Sequence, residues 1–136
     1  MSSESLDMVV TFPGGRKVDA EIKGFTIKTD QPADEGGEGS APEPFLLLLA
    51  SIGTCAGIYV HTFCETRNIP TDNIRLIQRH EFNQEKHRLE KLSLEIRVPP
   101  DFPKKYHKAI ARVANLCAVK KTILDPPEFE IVVSDS

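Results

Sequence analysis

The sequence predicts an α+β fold, with antiparallel sheets around one long, buried helix. Three observations predict it. Stretches of alternating apolar and polar residues lie on both sides of the chain's centre, as in strands with one buried face. Between them stands the only long uncharged run, Phe45-Leu-Leu-Leu-Leu-Ala-Ser-Ile-Gly-Thr-Cys55-Ala-Gly-Ile-Tyr-Val60, which is apolar nearly all round a helix. Further on, Phe102, Tyr106, Ile110 and Val113 recur at helical spacing. A chain of 136 residues fits a single domain, 1–136.

The elements follow in order. Leu6, Met8, Val10 and Phe12 alternate with polar or smaller residues, and Pro13-Gly14-Gly15 turns the chain. Val18, Ala20 and Ile22, then Phe25 and Ile27, extend this into a meander of two or three strands ending at Thr29. Residues 30–42, rich in Gly, Pro and acid, are a loop. The long helix covers roughly 43–67, with Ser40 or Glu43 able to cap its start and Asn68 and Pro70 ending it. Ile74 to Phe82 reads as a strand, Asn83 to Lys86 as a polar turn, and Leu92, Leu94, Ile96 and Val98 as the clearest strand of all. After Pro99-Pro100, Asp101 can cap a second helix, whose pattern breaks near Asn115–Cys117 and restarts through Leu124. Phe129, Ile131 and Val133 are expected to form a last strand. A helix apolar on every side needs cover on every side, which calls for a partner subunit.

Composition narrows the function classes. At 40% hydrophobic, 27% charged and a net charge of −3, the chain reads as an ordinary soluble globular protein. No basic cluster is interleaved with aromatics and Trp is absent, so neither nucleic acid nor an anionic membrane surface is expected as a partner. Met1-Ser-Ser-Glu-Ser-Leu-Asp lacks a basic segment followed by an apolar one, unlike a secretory signal. The uncharged run is shorter than the roughly 20 residues that span a bilayer, so a core helix is expected. The expected location is cytoplasmic. Three cysteines in a reducing compartment point to redox, catalytic or metal chemistry, or to packing.

Cys55 is the most informative of them. Gly53, Thr54, Ala56 and Gly57 make a clearing around its sulfur, which a merely structural cysteine does not need. A reactive role requires a cation or a helix N-terminus to offset burial. Cys64 lies about 180° round the helix from Cys55, so the two sulfurs cannot meet, and Cys64 is expected in the core. Cys117 has two open readings. A helix starting there would favour its thiolate, helped by Lys120 and Lys121, or it is simply packed under the helix junction. His61 and Cys64 could share a face toward a metal, but one pair falls short of the three or four ligands zinc needs.

These residues resemble the osmotically inducible protein C and organic hydroperoxide resistance (OsmC/Ohr) family. The similarity rests on Ala41-Pro-Glu-Pro-Phe-Leu-Leu-Leu-Leu-Ala-Ser-Ile-Gly-Thr-Cys55-Ala-Gly, on Cys117-Ala-Val-Lys-Lys, and on the Gly14-Gly15-Arg16 turn with its Gly-rich loop. It covers essentially the whole chain. The resemblance implies an OsmC-like fold, an intertwined homodimer with active sites at the subunit interface, and no cofactor beyond an external dithiol reductant such as a lipoyl protein. It implies Cys55 as the peroxidatic cysteine, which attacks the O–O bond of an organic hydroperoxide, and Cys117 as the resolving cysteine. It implies Arg16 as the arginine that stabilises the thiolate, a role suited to its permanent charge. The family's glutamate falls where this chain has Leu46 or Phe45. Glu43 is the nearest acid, able to substitute for it or to serve only as a dipole-favourable acid at the helix start. Ala118 stands where the family commonly has proline. These departures bear on hydroperoxide reduction more than on the fold.

Two functions are therefore expected in competition. One is a two-cysteine, thiol-dependent peroxidase or dithiol redox protein acting on small organic hydroperoxides in a stress response. The other is a non-catalytic OsmC-like module that binds a small apolar or thiol ligand in the dimer-interface pocket.

Overall fold

The computed structural model describes residues 6–135. Five strands and three α-helices are present among them: β1 (Val9–Gly14), β2 (Lys17–Ile22), β3 (Phe25–Thr29), α1 (Pro44–Glu65), β4 (Arg75–Asn83), β5 (Arg88–Arg97), α2 (His107–Ala114) and α3 (Ala118–Leu124). Short 3-10 turns occupy Ala33–Glu35 and Lys104–Tyr106. The result is a mixed α+β fold with antiparallel sheets and a long helix. The chain forms two compact units, the first reaching Ala50 and the second beginning at Ser51.

The first unit holds the sheet β1-β2-β3, antiparallel throughout. Lys23 (φ 52°) and Gly24 (φ 81°) make the two-residue link between β2 and β3. Two consecutive left-handed residues match the twist of a hairpin, and Gly bears this without strain. The turn between β1 and β2 falls at Gly15-Arg16, later than Pro13-Gly14-Gly15, because β1 continues through Gly14, paired with Lys17. β3 ends at Thr29, opposite Val18, and the chain enters the acidic loop.

The second unit pairs β4 with β5, Arg75 opposite Arg97 and Asn83 opposite Arg88. Leu92, Leu94 and Ile96 are half-buried and their neighbours Lys91, Ser93, Glu95 and Arg97 exposed, as the alternation predicts. The core of this unit joins Ala56, Val60, Phe63 and Cys64 of α1 to Phe102 and to Ile110 and Ala114 of α2. Tyr106 meets Phe63 edge-on, with ring centroids 5.5 Å apart. Arg67 stacks 3.7 Å over the same ring and donates to the Phe63 carbonyl, while Asn68, at φ 55°, ends the helix.

Four expectations need correction. The second helix does not start at Asp101: Pro103 is extended, a 3-10 turn follows, and α2 begins at His107. A proline disfavours helical backbone in the residue before it, which moves the start downstream. Ser40 does not cap α1, because it stands four residues before Pro44; the residue next to the helix is Glu43, whose carbonyl accepts the first-turn N–H groups of Leu46 and Leu47. Phe129, Ile131 and Val133 form no strand. Among the described residues no strand pairs with them, and Ile131 and Val133 are 93% and 96% exposed. Finally, α1 is not buried all round. Leu49, Ile52, Ala56, Val60, Phe63 and Cys64 are buried, whereas Phe45, Leu46, Leu48 and Ile58 are exposed.

Candidate active site

The site in the second unit is made where one helix ends and another starts. After α2, Asn115 donates its N–H to the Ala111 carbonyl and Leu116 donates to Val113. Cys117 then turns extended (φ −48°, ψ 125°) as the N-cap residue, and α3 begins at Ala118. This leaves the first N–H groups of α3 without partners inside their own helix. The helix expected to restart near Cys117 therefore exists, but its N–H groups do not make Cys117 the thiolate.

They serve Cys55. Its sulfur, half-exposed on α1, receives the Val119 N–H, the Cys117 thiol and the Ala118 N–H, in that order of importance. These donors outweigh partial burial and hold the Cys55 thiol below its ordinary value. Cys117, 2% exposed, is moved the other way. Burial pushes its thiol up, and the proximity of Cys55 adds to this against the Lys120 and Val119 N–H groups. Its thiol is also placed to donate to the Ile52 carbonyl, 3.8 Å away and one turn before Cys55 on α1. The pair is thus asymmetric: a sulfur within reach of solvent whose thiol is lowered, and a buried sulfur whose thiol is raised.

Cys64 shares α1 with Cys55 but belongs to the core, with no exposed surface, and burial pushes its thiol up. His61 is exposed. Among the described residues no group of three or more His, Cys, Asp or Glu side chains stands close enough to hold a metal ion.

Arg16 and Glu43 both belong to the first unit. Arg16 is exposed in the β1–β2 turn, lining a cleft of about 500 Å³ with Phe12, Gln31 and Glu35. Its guanidinium lies over Gly36, where a Cβ would come within 3.3 Å of Nε. Glu43 is half-buried one residue before α1. Among the described residues no ion pair joins it to Arg16.

Two features were not anticipated. The first is a cavity of about 670 Å³ in the second unit. Ile52, Leu94, Ile96, Ala114 and Cys117 line it together with Lys108, Arg112 and Lys120, so it is apolar with cations and reaches Cys117. Its walls come from three separate segments, which no local pattern announces. The second is Asp30, a carboxylate only 1% exposed. An Asp immediately after a strand and before Gln-Pro is a turn signal, and Ser40 ten residues on supplies its partner; nothing local says that the carboxylate is buried.

The family model described as OsmC-like protein matches residues 37–132. Among solved structures, the chain is similar to a protein of Psychrobacter arcticus 273-4 described as an osmotic stress induced and detoxification response protein. The identity is 21%, 90% of each chain is covered, and the TM-score is 0.73. It is also similar to an OsmC-like protein from Mycoplasma pneumoniae (14% identity, 92% of this chain and 91% of that one, TM-score 0.68). A third is an organic hydroperoxide resistance protein OsmC from Legionella pneumophila (18% identity, 90% and 91% covered, TM-score 0.61). No curated protein matches significantly. At these identities the structures show a shared fold, and the helix carrying Cys55 and the junction carrying Cys117 both fall inside the matched family region. The chain belongs to the OsmC-like protein family.

Proposed function

We propose that the protein is a two-cysteine peroxidase for organic hydroperoxides. The observation that carries this reading is the asymmetric pair: half-exposed Cys55, its thiol lowered by the Val119 N–H, the Cys117 thiol and the Ala118 N–H, and buried Cys117 beside it, its thiol pushed up by burial. The Cys55 thiolate attacks the distal oxygen of ROOH. The O–O bond breaks, the alkoxide leaves with a proton as ROH, and Cys55 becomes the sulfenic acid. The Cys117 thiol then displaces hydroxide, giving water and the Cys55–Cys117 disulfide. An external dithiol, of which a lipoyl group is one example, restores both thiols and is itself oxidised. In this reading Arg16 supports the thiolate, Glu43 stands in for the family's glutamate, and the protein works in the cytoplasm as a homodimer. The apolar side chains Phe45, Leu46, Leu48 and Ile58, left exposed at separate points around α1, support the dimer, since the chain itself does not cover them. That the Legionella relative is called an organic hydroperoxide resistance protein points to the same chemistry.

The test is Cys55 oxidation by cumene hydroperoxide and by hydrogen peroxide, followed by mass spectrometry in the wild type, Cys55→Ser and Cys117→Ser. The expected results are a Cys55–Cys117 disulfide in the wild type, no reaction without Cys55, and a retained single oxygen without Cys117. Oxidation of Cys55 no faster than a free thiol would sink the reading. In that case the second function, a non-catalytic module binding a small apolar or thiol ligand, is favoured by the 670 Å³ cavity that touches Cys117. Its volume is that of a small-molecule site.

A further inference from the structure

We propose that Asp30 is a positioning residue for Arg16: its buried carboxylate folds residues 31–40 into a brace on which the arginine rests. The inference lies wholly within the first unit, and it rests on the proposed function only for what Arg16 then does.

The carboxylate is fully used. Oδ1 accepts the Gln31 N–H at 2.8 Å, and Oδ2 accepts the Ser40 N–H at 3.1 Å, the Ser40 hydroxyl at 2.6 Å and the Glu38 N–H at 3.3 Å. These bonds pull both ends of the loop onto one buried anion. A buried charge is tolerable only when so many donors meet it. The backbone closes around the same point. Gly39 donates to the Gln31 carbonyl and Gly37 to Pro32, both at 3.0 Å, while Asp30 itself donates to Pro42 at 3.3 Å. Gly37 has no room for a side chain, since a Cβ would collide with the Gln31 carbonyl and stand 2.8 Å from Asp30 Oδ1.

The loop folded in this way touches the β1–β2 turn at Arg16 and the first residue of β2 at Lys17. Glu38, whose N–H is held by Asp30, forms an ion pair with Lys17 at 2.8 Å. Gly36, left-handed at φ +89°, presents bare backbone to the Arg16 guanidinium, with Nε, Cζ and Nη2 all within 3.5 Å of where a Cβ would be. The left-handed angle calls for glycine there, and an added Cβ would press on the guanidinium. Arg16 is exposed and would otherwise sample many rotamers. The brace removes part of that freedom before any substrate arrives, which is how a long cation becomes useful for catalysis.

The experiment compares Asp30→Asn, which alters the brace at its centre, with Gly36→Asn, which keeps a residue type that tolerates the left-handed angle, so that it chiefly alters the contact with Arg16 and guards against a folding failure in the first. The direct readout is the Arg16 Nε–H resonance, assigned with Arg16→Lys. It should be shifted away from the free-arginine position in the wild type and collapse toward it in both variants. A resonance that stays put in both variants overturns the brace. The functional readout is the rate of Cys55 oxidation by cumene hydroperoxide and its pH profile. Each variant should lose about ten- to a hundredfold and shift the thiolate profile upward, and adding Arg16→Ala to either should cost nothing further. Losses that multiply overturn the coupling. If the Arg16 resonance collapses as expected while Arg16→Ala leaves the Cys55 profile unchanged, the brace stands and the role of Arg16 in the peroxidase reading falls.

Discussion

On one face of α1, Cys64 sits in a core with Val60, Phe63, Phe102 and Ile110 and has no exposed surface; on the opposite face, Cys55 is half-exposed beneath the first N–H groups of α3. The two thiols share a helix, a backbone conformation and a covalent chemistry. Burial without donors pushes Cys64 up, while burial with donors leaves Cys55 lowered. Burial and hydrogen-bond donors oppose each other, then, and their balance decides the outcome: at half-exposed Cys55 the donors prevail, while at buried Cys117 desolvation prevails over the Lys120 and Val119 N–H groups. The donors at Cys55 are backbone groups freed because α3 must begin somewhere, and Cys117 places that beginning beside α1.

The largest break in this comparison comes from exchanging the sulfurs one at a time. Cys55→Ser should lower hydroperoxide-driven thiol oxidation by at least about a thousandfold, as loss of a nucleophile does. Cys64→Ala should leave that rate within about twofold, since its effect is confined to packing. Stopped-flow kinetics on the two variants decides it, and comparable losses would mean that the faces of α1 are not chemically distinct. A smaller effect follows from removing one donor. In Cys117→Ala the Val119 and Ala118 N–H groups remain but the thiol donor is gone, so the Cys55 thiolate should form at higher pH than in the wild type. The sign is fixed by the shift: a lowered thiol pKa means that the reactive fraction grows below the ordinary value near 8.5, and losing a cause of that lowering moves the rise back toward it. A pH–rate profile for the first oxidation step reads this directly. Smaller again is the thermodynamic trace of Cys64. Replacing it by Ala leaves a cavity of about one sulfur and should cost about 1 kcal/mol in denaturant unfolding. Ile110→Ala, in the same core, should cost about 2–5 kcal/mol and serves as the calibration.

What could be read in the sequence follows the range of the forces involved. β5 was legible because the alternation of Leu92, Leu94 and Ile96 with charged residues is local, and one buried face suffices to impose it. The opposition of Cys55 and Cys64 was legible from helical geometry alone. Phe129, Ile131 and Val133 show the same alternation and are not a strand, because a strand also needs an edge to pair with, and alternation says nothing about edges. The apolar run correctly announced a helix, but not its burial on every side, since part of α1 is exposed. At the site, the residues Cys55 and Cys117 could be picked out, but the direction of the electrostatics at Cys117 could not. A helix start favours whichever sulfur its N–H groups reach, and that is a matter of tertiary placement. Asp30 was hidden for the same reason, as one acid in an acidic loop until the loop closes on it.

Asp30 also extends the comparison to a different acid in the other unit, and supplies its mildest test. Like Cys55 it is an ionisable group met by donors, and like Cys64 it is cut off from solvent. If donors decide, its carboxyl should be lowered despite burial. It is: the Ser40 hydroxyl first, then the Ser40, Gln31 and Glu38 N–H groups, bring it to about 2 against the opposing effect of desolvation. A carboxylate whose folded pKa lies below its unfolded value near 3.9 contributes stability that is fully present above that value and is lost as pH falls toward about 2. Wild type and Asp30→Asn should therefore differ in melting temperature at neutral pH, with the wild type higher, and the gap should close through that acid window. The Ser40→Ala variant, which removes the first of the donors, should move the lower edge of the window up. If the gap between wild type and Asp30→Asn were independent of pH down to 2, the carboxylate would not be held by its donors. The rule drawn from the two cysteines would then stop at the thiols.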